Sequence, residues 1–314
     1  MQQFKYVRHQ QPPERLVDFL CRRFPYQDRA GWVAAVEKGA ISIDGELSSP
    51  DLILETGMVV GYERPRESEP AVDKTYRILY QDQAIIAVEK SGNLPIAESG
   101  RYYRNVLIEI LKETLGLEVL HQVHRLDRET SGVLVVAKSP EVATLLGEQF
   151  FKGIPQKRYQ TVLVGEMPLE EVLVEQPIKK VKPQGPGTVR IRQVVDPEGK
   201  TAKTLFRPIK AAGGLTLAEV ELFTGRTHQI RVHAEYLGFP VLGDKLYGQT
   251  DEQFLKWFKG EEQPNFGEFG PIDRQLLHAS RLELNHPLTG DWLTFESDPA
   301  PFFGAYPCCK GLVG

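Results

Sequence analysis

The sequence predicts an α+β fold, and three observations carry that reading. Short apolar runs and helical stripes are interleaved without a regular strand–helix–strand rhythm. Ala218, Val220 and Leu222 alternate with Glu219 and Glu221, the pattern of a half-exposed antiparallel strand. The 314 residues, 41% hydrophobic and 25% charged, are enough for one large domain with a small one beside it, each burying a core.

Taken in order, residues 1–12 read as a leader and residues 13–64 as a small module. Leu16, Phe19, Leu20 and Phe24 recur at helical spacing, and Trp32, Val33 and Val36 mark a second helix closed by Gly39. Ile41 and Ile43 alternate like a strand, Asp44-Gly45 is a two-residue hairpin signal, and Val59-Val60 supplies a further strand. Residues 65–75 form a polar linker, residues 76–300 the main domain and residues 301–314 a tail. Within the main domain, Ala84 to Val88 reads as a buried strand. Val106, Leu107, Ile110, Leu111 and Leu115 form a helical stripe ending at Gly116. Val133 to Ala137 is another strand, and Ser139-Pro140 opens the helix after it. Thr227 is expected to cap a helix whose Ile230, Ala234 and Leu237 face the core.

Bulk properties exclude several classes. No window approaches the roughly eighteen uninterrupted apolar residues of a membrane span, so no membrane partner is expected. The first residues lack the apolar core of a signal peptide, and three cysteines make no disulfide framework, so the expected location is cytoplasmic. The net charge of −4 weighs mildly against a nucleic-acid partner. Between Lys179 and Lys210, however, nine Lys/Arg stand against Asp196 and Glu198, near +7, which is either a solvated surface hairpin or a phosphate-binding one. Lys179, Lys180 and Lys182 are its candidate RNA contacts.

Three clusters carry chemistry. The first is His124-Arg125-Leu126-Asp127-Arg128-Glu129-Thr130-Ser131-Gly132, running into the strand at Val133. Two flanking arginines favour an ionised Asp127, suited to a nucleophile or a base and poorly suited to a proton donor; a surface salt-bridge knot would look the same. The second is Gly225-Arg226-Thr227-His228-Gln229-Ile230-Arg231-Val232-His233. Arg226, at the mouth of the expected helix, could hold a phosphate or pin a carboxylate in one orientation. The third is Lys157-Arg158-Tyr159, whose tyrosine serves either as core filler or as a face for a nucleobase. His228 and His233 are five apart, and His121 and His124 have no third ligand, so no metal is expected.

These strings, followed in order by Ala202-Lys203-Thr204, Gly243-Asp244, Tyr247-Gly248, Arg274-Gln-Leu-Leu-His278-Ala279 and His286-Pro287, resemble the successive motifs of the RluA-type pseudouridine synthases over about residues 76–300. The module at 13–64 resembles an RNA-binding domain shared with a ribosomal small-subunit protein, although six Lys/Arg against nine Asp/Glu make it acidic where that pattern is basic.

The resemblance implies a mixed, mainly antiparallel central sheet split by a cleft and flanked by helices. It implies isomerisation of specific uridines in structured RNA, ribosomal RNA ahead of transfer RNA, by a monomer without a cofactor. It further implies a catalytic Asp127, an active-site Tyr159 and Arg226 as the partner beside the carboxylate. His124, Arg125, Arg128, Thr130, Lys157, Thr227, His228, Gln229 and Arg231 are expected to contact substrate. Where many members have Lys-Pro-Ala-Gly, this chain has Lys90-Ser91-Gly92, a departure that bears on substrate choice. The competing readings are a non-catalytic RNA-binding or assembly factor retaining the fold, and a hydrolase that would release free base.

Overall fold

The computed structural model describes residues 2–6, 13–24, 27–63, 69–182, 189 and 191–312, and divides into two compact units, Met1–Pro70 and Ala71–Gly314. The first unit contains β1 (Gln2–Lys5), α1 (Leu16–Arg23), α2 (Arg29–Glu37), β2 (Ile41–Ile43), β3 (Glu46–Leu47) and β4 (Val59–Tyr62). Its strands form one antiparallel sheet in the order β1-β4-β2-β3. Asp44 and Gly45 both take positive φ, 52° and 89°, the backbone that a tight hairpin with right-handed strand twist requires. Leu16, Leu20, Trp32, Ile41 and Val60 make a core with no exposed surface. The expected leader is in part structural, because residues 2–5 pair with β4 and Tyr6 is buried; Met1 and residues 7–12 lie outside the described residues.

The second unit holds β5 (Tyr76–Gln81), β6 (Ile85–Lys90), α3 (Leu107–Leu115), β7 (His121–Gln122), β8 (Ser131–Ala137), α4 (Pro140–Phe151), β9 (Gln156–Val164), β10 (Val172–Val174), β11 (Ile178–Lys180) and β12 (Gln193–Val195). After these come β13 (Thr204–Ala212), β14 (Leu215–Leu222), α5 (Gln229–Tyr236), α6 (Asp251–Lys259), β15 (Leu277–Asn285), β16 (Trp292–Glu296) and α7 (Ala300–Phe303). Ten strands form a mixed sheet in the order β10-β13-β14-β9-β15-β8-β6-β5, with β16 added on β15 and β7 on β8. Every ladder in it is antiparallel except β8 against β15.

That parallel seam positions the site. His278 lies opposite Ser131 and Ala279 opposite Gly132, and the Ser131 hydroxyl bonds His278 Nδ1 at 2.9 Å. Gly132 has φ +107°, and a Cβ there would sit 2.2 Å from the Ala279 carbonyl oxygen, so only glycine lets the strands close. The Asp127 loop runs along the chain straight into Ser131, the first residue of this contact. All seven residues of β8 are buried, so the strand gives the loop a rigid exit.

The start of α4 is set by Ser139, which accepts from the Val142 N–H, with Pro140 following. The tail is not separate from the domain. Phe303, Cys309 and Leu312 are buried against Val162, Leu215, Leu217 and Leu242. Among the described residues no helix is long and apolar enough to cross a membrane.

Candidate active site

Four segments converge on one cleft of about 420 Å3: the loop 123–130, the C-terminal end of α4, the start of β9, and residues 222–231. The pairing of β9 with β14 sets Lys157 opposite Leu222 and Tyr159 opposite Val220, which brings the second and third clusters side by side. The fold places Asp127, Tyr159, Arg125, Lys157, Arg226, His228 and Arg231 along this single cleft.

Asp127 Oδ2 accepts from Arg231 Nη1 at 2.8 Å, and His228 Nε2 lies 3.9 Å from Oδ1. Burial acts to raise the Asp127 carboxyl, but the charges of His228 and Arg231, the Arg231 bond and the charge of Arg125 outweigh it and hold the group at about 2. His228 is itself pushed down to about 4, by burial first and then by Arg231. It is therefore neutral at pH 7, and there the cations acting on Asp127 are the two guanidiniums.

Arg231 is held from behind. Its Nε and Nη2 form a two-pronged bond to Asp244 at 2.5 and 2.8 Å, and its guanidinium lies 4.8 Å from the Tyr247 ring centroid. The Asp244 side chain has no exposed surface and also accepts the N–H groups of Leu246 and Tyr247 at 2.9 and 3.0 Å. One buried arginine thus bridges two carboxylates, a task its planar fork can perform and a point charge cannot.

The Asp127 loop is braced by two lysines. Lys90 has no exposed surface and donates to the carbonyls of Ser91 and Arg128 at 2.8 and 3.0 Å. Burial lowers it to about 7. Lys245 bonds Glu129 Oε2 and the Asp273 carbonyl, both at 2.6 Å. Tyr159 is buried, and burial with the charge of Asp127 pushes its phenol up, so it is protonated at neutral pH. Lys157 donates to the Thr224 carbonyl at 3.3 Å, and burial lowers it to about 8.

Several expectations are corrected. Arg226 is not the partner beside the carboxylate: it is exposed and its Nε donates to the Thr201 carbonyl at 2.9 Å. Thr227 does not cap the helix. His228 occupies that position with φ 58°, and α5 begins one residue later, which turns Arg231 inward.

His124 is engaged in structure. It accepts the Val135 N–H at 3.0 Å, stacks on Phe150 at 4.7 Å, and burial lowers it to about 3. Gln229 is spent on Thr224, Arg226 N–H, Lys203 and Thr204, and Thr130 is buried and accepts from Gln275 at 2.7 Å. Arg128 bonds Tyr102 and Glu129 at 2.6 and 2.8 Å.

Four of the eight described cations of the basic stretch are ion-paired. Lys179 pairs with Asp196 and Glu198, Arg192 with Glu235 and Asp251, Lys203 with Glu175, and Arg207 with Glu171, Glu219 and Glu221. Lys180 and Lys182 are exposed, and residues 183–188 and 190 lie outside the described residues. Sequence reasoning gave no site role to Asp244, Tyr247 or Lys245. The Gly243-Asp244 and Tyr247-Gly248 strings marked the region, but no spacing shows that it wraps the guanidinium.

The family model for RNA pseudouridylate synthase matches residues 84–236. The chain is 33% identical over 234 residues to an RNA pseudouridine synthase of Synechocystis sp., covering 74% of this chain and 79% of that protein. It is 29% identical to the ribosomal large subunit pseudouridine synthase D of Pseudomonas aeruginosa, covering 92% and 89%. It is 30% identical to the mitochondrial tRNA pseudouridine(32) synthase of Saccharomyces cerevisiae over 76% of this chain, spanning only 51% of that protein. Human RNA Pseudouridylate Synthase Domain Containing 1 shares the fold, with a TM-score of 0.59 at 23% identity over 77% of this chain and 90% of that one. The ordered motifs, the mixed sheet and these matches agree: the chain belongs to the RluA-type family of RNA pseudouridylate synthases.

Proposed function

We propose that this protein isomerises specific uridines of structured RNA to pseudouridine, with Asp127 as the catalytic carboxylate. The observation that carries the reading is the carboxylate itself. Asp127 is held ionised in a cleft by a guanidinium that is in turn anchored by a second, fully buried carboxylate.

Converting uridine to pseudouridine breaks the N1–C1′ bond, turns the detached uracil and joins its C5 to the same C1′; the N1-side valence is filled by the proton lost from C5. Nothing is oxidised, so the chemistry itself calls for no cofactor. An ionised Asp127 can attack C1′ or remove the C2′ proton, and both routes need the charge that Arg231 favours. Tyr159, neutral and buried beside Asp127, presents a ring to the extruded uracil.

Ribosomal RNA is the first proposed substrate. The Pseudomonas relative named for the large ribosomal subunit aligns over nearly the whole of both chains, whereas the yeast relative named for transfer RNA is twice as long as the matched region. We place the enzyme in the cytoplasm as a monomer, with Arg125, Lys157 and Arg226 lining the cleft for phosphate contact and Lys180 and Lys182 on the exposed hairpin. Pseudouridine mapping across total RNA from cells with and without the gene tests this. Loss of defined ribosomal sites supports the assignment, loss confined to transfer RNA redirects it, and unchanged maps reject it.

A further inference from the structure

Phe151, the last residue of α4, is 92% exposed, more than any other large hydrophobic side chain among the described residues, and it lines the cleft that holds Asp127. Isolated exposed apolar residues are ordinary on protein surfaces, so exposure alone says little. Its position is the informative part. Phe150, the preceding residue, is half-buried and stacked on His124, so the end of α4 is anchored while the Phe151 ring is left in solvent. Phe223, 44% exposed, reaches the same cleft from the end of β14.

The charges around these rings specify the occupant. Among the described residues that line the cleft, Asp127 is the one acid; Arg231 is committed to it and to Asp244, and Arg125, Lys157 and Arg226 are the further cations. A cationic cleft attracts phosphodiester, and a bare ring at its edge offers a stacking face to a base carried on that backbone. Extruding a uridine also leaves its neighbours without a stacking partner, a cost that a replacement face recovers in part.

We infer that Phe151 is a nucleobase platform that stacks on an unpaired base flanking the target uridine and thereby helps select the RNA. The inference rests on the RNA pseudouridine synthase reading above. Phe151 does not touch the reacting atoms; it acts on substrate binding. Base–aromatic stacking is worth roughly 5- to 150-fold in affinity, which sets the size of the expected effect.

The test uses purified full-length protein and unmodified transcripts of large-subunit ribosomal RNA and of transfer RNAs. Wild type is compared with Phe151→Ala, Phe151→Leu and Phe151→Trp, reading pseudouridine formed, KM and kcat, with thermal melting as a folding control. The platform predicts that Phe151→Ala raises KM at least roughly 5-fold, a larger change than in kcat, with unchanged melting. Tryptophan should restore KM and leucine should not. If alanine leaves KM at the wild-type value, or if leucine rescues as well as tryptophan, the ring is not a stacking face and the inference is overturned. If wild type forms no pseudouridine in any transcript, the functional reading fails first and takes this inference with it.

Discussion

Replacing Arg231 separates its charge from its shape. Nη1 bonds Asp127 at 2.8 Å while Nε and Nη2 bond Asp244, so a lysine keeps the charge but cannot serve both carboxylates. A hydrogen bond to a charged group contributes about 1.5–3 kcal/mol, so removing the Asp127 bond should slow the chemical step about 10- to 150-fold in Arg231→Lys. Arg231→Met also removes the positive charge, and burial, the largest influence on the Asp127 carboxyl, is then opposed by His228 where it is protonated and by Arg125.

The sign of the pH effect follows. In wild type the carboxyl sits at about 2, below its ordinary 3.8, so the charged form persists until pH falls toward 2, and its contribution to stability, complete above the ordinary value, is lost as pH falls from there through the folded value. In Arg231→Met the carboxyl rises, and the acidic limb of the rate profile moves up by at least ~1–2 units. Arg231→Lys should leave that limb closer to wild type. The methionine variant also leaves Asp244 buried without its counter-charge, a loss of about 3–5 kcal/mol that Arg231→Met/Asp244→Asn should partly recover. Single-turnover pseudouridine formation from pH 3 to 9, with urea melts alongside, measures both quantities. A wild-type rate and profile in folded Arg231→Met would refute the reasoning.

Two further outcomes are expected. Gly132→Ala should destabilise the protein by more than ~1–3 kcal/mol, since a Cβ 2.2 Å from the Ala279 carbonyl at φ +107° adds backbone strain to overpacking; a chemical denaturation curve matching wild type would contradict it. Lys180→Ala/Lys182→Ala should flatten the salt dependence of RNA binding by about one unit of slope for each phosphate no longer neutralised, whereas the paired Lys179 should contribute less; filter binding at several salt concentrations reads both.

Features written in local chemistry were legible in the sequence. The Asp44-Gly45 turn, the Ser139-Pro140 helix start, the Gly116 helix end and the apolar run of β8 each depend on a few adjacent residues. Asp127 stood out because its loop is dense in charge and precedes a buried strand.

The guanidinium that meets Asp127 was not legible. Arg226 and Arg231 lie in the same short string, and the choice turns on where α5 begins. A left-handed His228 delays that start by one residue and points Arg231 at a carboxylate 104 positions away in the chain. Charge counting overstated the free charge for the same reason. The acids that neutralise Arg192 and Arg207 include Asp251, Glu235 and Glu171, outside the window in which the basic stretch was counted. The tail read as an appendage because Phe303 and Leu312 show no periodicity, although both fill the core beneath the sheet.

The most direct measurement is the yield of pseudouridine from Asp127→Asn and wild-type protein on unmodified ribosomal RNA transcripts, with RNA affinity measured on the same preparations. The substitution keeps side-chain size and removes the charge. The account predicts that product formation falls by at least ~100-fold while binding holds within a few-fold. Product formed at the wild-type rate by folded Asp127→Asn would contradict the assignment of the catalytic carboxylate.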